Sequence, residues 1–184
     1  MERITALDFQ ILDWIQTHLT TPALDALMKL VTALGEGGAV WLLAAAVLLW
    51  KPKTRRQGVV VAVSLLLCLL VGNFTLKPLV ARPRPFHIRP DFPLLIAPPG
   101  EFSFPSGHTM SSFAGAYSLF LLNKKWGIPA LVLAAAIGFS RLYLYVHFPT
   151  DVLAGAVLGL LAAWVCVTAA RKTGFLSSEE EVSQ

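Results

Sequence analysis

The chain has 184 residues, of which 55% are hydrophobic and only 14% charged, with a formal net charge of +4 and a mean hydropathy of +0.65. A soluble domain carries about 25% charged residues, so this balance argues against an ordinary water-soluble domain and for lipid as the solvent. Cys68 and Cys166 both sit inside apolar runs, which argues against a disulfide framework, and they lack the paired spacing of a metal site.

In chain order, residues 1–20 place Ile4, Leu7, Phe9, Ile11, Leu12, Trp14, Ile15 and Leu19 at roughly helical spacing among Glu2, Asp8 and Asp13. That pattern predicts an amphipathic helix lying along the membrane surface rather than a cleavable signal peptide. A second helix starts near Pro22, with Thr20 and Thr21 as capping residues, and runs to Leu34. Gly35-Glu36-Gly37-Gly38 breaks or bends it, and apolar residues resume to Trp50, giving either one bent span or two short pieces. Further spans are expected over residues 57–76, 106–122, 126–143 and 150–170. The fold class is all-α: an integral membrane bundle of five transmembrane helices, or six if residues 22–34 cross independently. With no repeat and no linker, residues 1–176 form a single membrane-embedded domain. Residues 177–184, with Glu179, Glu180 and Glu181, read as a solvated, disordered acidic tail. Tyr143, Tyr145, Trp126 and Trp50 read as anchors at the membrane interface.

Charge asymmetry sets the orientation. The loop at 51–56, the turn Lys124-Lys125 and Arg171-Lys172 fall on one side by alternation and hold eight Lys or Arg residues. Lys77, Arg82, Arg84, Arg89 and Arg141 make five on the other. The excess places the first group in the cytoplasm and the second outside.

Polar residues gather in three short clusters where apolar runs end. These are Lys77 with Arg84-Pro85, then Pro105-Ser106-Gly107-His108, then Ser140-Arg141 with His147 and Asp151. Ionisable groups at the margins of membrane segments are costly and usually functional. The proline-rich stretch from Lys77 to Pro105 cannot continue a helix and should cap the outer mouth of the bundle. Ser106 is a natural N-cap, Gly107 lets the backbone approach a ligand, and a helix N-terminus there attracts anions. Asp151 follows His147 by four residues, within reach to accept a hydrogen bond from one imidazole nitrogen and leave the other free to attack. Taken singly, each cluster has a plainer reading: a solvated basic loop, a capping turn, a structural His–Asp pair. Together, two histidines among several cations point to chemistry on a phosphate. A metal held by His108, His147 and Asp151 is a weaker reading, because the surrounding cations would repel it. Glu36 and His87 find no role at this level, and His87 reads as a loop residue.

The pattern Lys77-x6-Arg84-Pro85, Pro105-Ser106-Gly107-His108, Ser140-Arg141-x5-His147-x3-Asp151 resembles the type 2 phosphatidic acid phosphatase superfamily, over roughly residues 24–170. The resemblance implies that His147 is a nucleophile forming a phosphohistidine, with Asp151 orienting it. It implies that His108 protonates the leaving oxygen and later activates water. Lys77, Arg84 and Arg141 would hold the phosphoryl oxygens, with Ser106 and the Gly107 backbone N–H as donors, and no metal or other cofactor. The implied substrate is a lipid phosphate or diphosphate, such as undecaprenyl diphosphate, phosphatidic acid, diacylglycerol diphosphate or phosphatidylglycerophosphate. The implied partner is the bilayer and not nucleic acid, and the implied location is a bacterial plasma membrane with the site on its outer face. Two alternatives stand beside hydrolysis: phosphotransfer through the same phosphohistidine, and a lipid-headgroup binding or transport protein without catalysis.

Overall fold

The computed structural model describes residues 2–176, so the tail at 177–184 lies outside the described residues. In chain order the helices are α1 (Glu2–Leu19), α2 (Pro22–Leu34), a 3₁₀ turn (Glu36–Gly38), α3 (Ala39–Trp50), a second 3₁₀ turn (Pro52–Thr54) and α4 (Arg55–Cys68). A π-helical run (Leu69–Leu76), α5 (Lys77–Val80), α6 (Pro85–Ile88), α7 (Gly107–Leu122), α8 (Lys124–Tyr143) and α9 (Pro149–Lys172) complete them. No strand occurs among the described residues.

Three helical stretches are long and apolar enough to cross a membrane: Pro52–Ile88, which carries α4 and α5, then Lys124–Tyr143 and Pro149–Lys172. The pair α2 and α3 passes the same test together, bent by 44° at the break, and makes a fourth stretch where the pair is taken as one span. Gly35–Gly38 thus bends the chain, as the glycines there predict. The expected helix at 106–122 forms as α7, but its 16 residues fall short of that length. The expected total of five or six spans is therefore not reached by length and composition alone.

α7 is the central element, packed chiefly against α8 and α9 and also against α4. Close approach to α9 depends on two glycines one turn apart. A Cβ on Gly155 would come within 2.7 Å of the Ser106 carbonyl oxygen, and one on Gly159 within 3.0 Å of Ala114 N. Small residues at this spacing let membrane helices meet backbone to backbone. Polar side chains inside the bundle are paired: Trp41 Nε1 donates to Ser112 Oγ at 2.9 Å, and Ser118 Oγ to Ser64 Oγ at 3.1 Å. The outer surface is apolar, with Leu43, Val63, Val132 and Leu161 all exposed, as suits a bundle facing hydrocarbon.

Two ends of the bundle are pinned by contacts distant in sequence. At one, Arg171 donates to Leu121 O and Arg56 to Phe175 O, so the start of α4 meets the ends of α7 and α9. At the other, Ser106 N donates to Asp151 O at 3.1 Å, joining the starts of α7 and α9. α1 packs across this second end. Leu12 and Ile15 face inward, while Ile4, Leu7, Ile11 and Trp14 face outward on one stripe. The α8–α9 connection is fully buried: Tyr143, Leu144, Tyr145, Val146, His147 and Phe148 are all 2% exposed or less. Tyr143 and Tyr145 are therefore not interface anchors. Their hydroxyls bond to Asp25 (2.5 Å) and to Arg89 (3.0 Å) inside the protein. Trp50 and Trp126 are exposed as expected.

Candidate active site

Lys77 owes its position to an irregular helix. After Cys68 the backbone widens into the π-helical run, and the amide of Lys77 bonds to Gly72 O, five residues back. Such π segments recur at functional sites because they re-aim side chains. The expected span end near Leu76 is passed: helix continues to Val80, with Pro78 in a first turn, where its missing N–H costs nothing. Ala81, at φ 47°, then turns the chain out into the cap.

Lys77, Arg84, Gly107, His108, Arg141 and His147 line one cavity of about 670 Å³. These come from three separate regions of sequence, so the structure unites all three clusters. The remaining wall is of two kinds: the bend Gly35–Gly38 and the cap segment with Glu101 on the polar side, then Leu42, Leu65, Leu66, Leu69 and Met110 towards the bundle. Gly107 is required for close approach. A Cβ there would stand 3.3 Å from Asn73 Oδ1 and 3.7 Å from Lys77 Nζ, filling space that a ligand needs.

His147 is 2% exposed and reaches the cavity through Nε2, to which Arg84 Nη1 donates at 3.1 Å. An arginine can only donate, so Nε2 accepts and the ring proton lies on Nδ1. Nδ1 faces Ser103 Oγ at 3.4 Å and Asp151 Oδ2 at 3.6 Å. The expected direct His147–Asp151 hydrogen bond is thus at the long edge of contact. Ser103 stands beside it and donates to Asp151 Oδ2 at 2.5 Å. Asp151 is fixed by the start of α9, where it is the third residue: its Oδ2 also accepts from Phe148 N at 2.9 Å. Burial is the main influence on the His147 imidazole and pushes it down to about 3. Asp151 opposes that shift, while Arg84 and Arg141 add to it. The ring is therefore neutral, with a free lone pair aimed at the cavity.

Arg84 is a scaffold as well as a charge. Its Nε donates to Glu101 O at 2.6 Å and its Nη1 to Val146 O at 2.8 Å, tying the cap to the α8–α9 connection. Lys77 Nζ pairs with the carboxylate of Glu101. Arg141 Nη1 donates to Thr32 Oγ1 at 2.5 Å. Arg141 Nε and His108 Nε2 are buried and make no hydrogen bond among the described residues. Arg141 Nε, without a partner among the described residues, calls for a polar ligand at the cavity. Glu36, without a role at the sequence level, places Oε2 at 3.3 Å from His108 Nε2.

Ser106 differs from expectation. It is fully buried, does not line the cavity, forms no side-chain cap bond, and accepts from Thr109 Oγ1 at 2.9 Å. The resemblance implies a phosphate donor there, and the helix-start rule implies a side-chain cap. Here its amide instead bonds to Asp151 O. Ser103, Glu101, Arg82, Asp8 and Asn73 reach the site or its supports without having been singled out for it. From the sequence Arg82 is only one of the five cations on the outer side. His87 stays in the cap, where Nδ1 accepts from Arg84 N at 3.5 Å. Among the described residues no three His, Cys, Asp or Glu side chains gather as a metal-ligand cluster.

A helical membrane bundle that gathers two histidines and three cations at one mouth has the build of a membrane-embedded phosphatase. The chain belongs to the PAP2 superfamily, whose profile matches residues 57–175. It is 34% identical over 144 residues to an undecaprenyl-diphosphatase of Sulfolobus acidocaldarius, a match covering 77% of this chain and 67% of that protein. It is 43% identical over 105 residues to the bacitracin transport permease protein BcrC of Bacillus licheniformis, covering 55% and 52%. The chain thus spans about half to two thirds of the length of these curated relatives. Among solved structures, a transmembrane PAP2-type phosphatidylglycerolphosphate phosphatase from Bacillus subtilis superposes with a TM-score of 0.76 at 30% identity, over 94% of this chain and 88% of that one. LpxE of Aquifex aeolicus superposes at 0.72 with 26% identity, over 88% and 95%.

Proposed function

We propose that the protein removes the terminal phosphate from a lipid phosphate or diphosphate held in the bilayer, through a phosphohistidine on His147. The observation that carries this is the orientation of His147: a neutral ring with Nε2 in the cavity beside Arg84 and Nδ1 backed by Ser103 and Asp151. Nε2 attacks phosphorus, and the bond from phosphorus to the lipid oxygen breaks. His108 supplies the proton that this oxygen takes up. Water then attacks phosphorus and gives a proton to His108, the phosphorus–nitrogen bond breaks, and inorganic phosphate leaves with His147 restored. Lys77, Arg84, Arg141 and the amide of Gly107 hold the equatorial oxygens, and phosphoryl transfer asks little else of a protein than position and charge.

The apolar wall of the cavity supports a lipid rather than a free phosphate ester, since it runs directly from the cations. The names of the relatives keep both diphosphate and monophosphate lipids in view; undecaprenyl diphosphate is the leading substrate. Counting α7 as a short central span gives five crossings within one domain. α1 then lies on the outer surface, and the site faces out of a bacterial plasma membrane.

The test is phosphate release by purified protein in detergent with EDTA, across lipid phosphates and diphosphates. Release from any of them, lost in His147→Ala, is the expected result and ranks the substrates. No release by folded protein would move phosphotransfer or headgroup binding ahead.

A further inference from the structure

Asp151 is fully buried, and both its oxygens are engaged. Oδ2 serves Ser103, Phe148 N and the His147 ring, while Oδ1 accepts from Arg82 Nη1 at 2.6 Å. Arg82 is the one cation paired with it among the described residues, since the His147 ring is neutral. Arg82 does not line the cavity. Its guanidinium lies over the Phe148 ring at 4.0 Å, and Nη2 donates to Asp8 Oδ2 at 2.7 Å. Asp8 sits in α1 and is only 2% exposed. It also accepts from Thr150 N at 3.1 Å and Thr150 Oγ1 at 2.6 Å, and Arg82 Nη1 reaches the same Thr150 Oγ1 at 2.7 Å.

We infer that Asp8 and Arg82 are positioning residues for the nucleophile, so that α1 is part of the active site at one remove. Docking α1 would need one polar contact; it does not need a carboxylate–guanidinium–carboxylate chain ending on Asp151. The order of charges gives the chain its chemical sense. An isolated Asp151–Arg82 pair is neutral overall and would do little for a histidine that becomes positive as it takes up a phosphoryl group. Sharing Arg82 with Asp8 leaves the chain with a net charge of −1. Asp151 is then held rigidly, yet keeps negative character facing Nδ1. Removing one partner of a buried ion pair is costly because the other is left uncompensated. Loss of Asp8 therefore frees Arg82 to neutralise Asp151, and loss of Arg82 frees Asp151 to turn from the ring.

This inference rests on His147 being the nucleophile, and the experiment separates the two. Asp8→Asn and Arg82→Lys are compared with wild type for kcat, KM, inhibition by vanadate, which mimics five-coordinate phosphorus on the histidine, and inhibition by inorganic phosphate. The expected result is a fall in kcat of about 10- to 100-fold, the loss of a charged hydrogen bond, with vanadate inhibition weakened by a similar factor. KM and phosphate inhibition stay within about threefold, because they report the ground state. Wild-type kcat in both variants would overturn the proposal. So would kcat, KM and phosphate inhibition moving together, as a mere loosening of α1 predicts. If Asp8→Asn is not recovered folded, Arg82→Lys, which keeps the charge, decides by the same criteria. Turnover retained in His147→Ala would instead sink the nucleophile assignment itself.

Discussion

His147 divides its two nitrogens between two environments, and most of what the site can do follows from that division. Burial holds the ring neutral down to about pH 3 in the folded protein, whereas an exposed imidazole titrates near 6.5. The folded pKa is the lower one, so this group's contribution to stability is complete above about pH 6.5 and is lost as pH falls towards 3. Melting curves in detergent should show Tm dropping between pH 7 and 4, with a shallower drop in His147→Gln. Asp151→Asn should slow turnover by about 10⁴-fold, the loss seen when a buried Asp no longer sets its histidine's tautomer. Ser103→Ala removes a charge-assisted bond to the same carboxylate. It should lower kcat by roughly 10- to 100-fold with little change in KM. Steady-state kinetics on the best lipid substrate checks both.

At the scale of elements, the irregular pieces set the geometry. The π-helical run aims Lys77, the Gly35–Gly38 bend brings Glu36 to His108, and the backbone contact of α7 with α9 sets the level of His108 against Asp151. Gly159→Val would press a side chain into the α7 backbone. Overpacking of this kind costs about 1–3 kcal/mol, read as a lowered midpoint in thermal or denaturant unfolding in detergent. The helices and the cationic cluster were legible in the sequence, because apolar runs and the charges that end them are local patterns. Their bounds were off by a few residues where a proline or lysine begins a turn, as at Lys124 and Pro149. The supports of the site were not legible. Arg82 and Asp8 are 74 residues apart, Asp8 and Thr150 are 142 apart, and Ser103 and Asp151 are 48 apart. No periodicity links such partners, and a buried aspartate on an amphipathic helix looks like one more polar residue. Ser106 misled for the opposite reason: a local capping rule gave way to a tertiary contact.

For the molecule as a whole, the bundle has a basic end and a catalytic end. Arg56, Arg171 and the Lys124 turn gather at one, and the cavity opens at the other. In a Cys68→Ala, Cys166→Ala background, Asp91→Cys should react with an impermeant maleimide in intact cells, and Lys124→Cys only after the membrane is permeabilised. Asp91 is expected to label from outside. Labelling of both from one side would contradict the five-crossing arrangement. The cavity itself carries a further consequence through Glu101. Its carboxylate already sits on Lys77, in the ground that a phosphoryl oxygen would take. A headgroup arriving there does not meet bare positive charge; it trades places with an anion on a tether. On the proposed phosphatase reading, the Glu101 carboxylate would return to Lys77 as phosphate departs. The mouth would then act as an ion exchanger that carries its own counter-ion, and strong attraction for the substrate need not become a trap for the product.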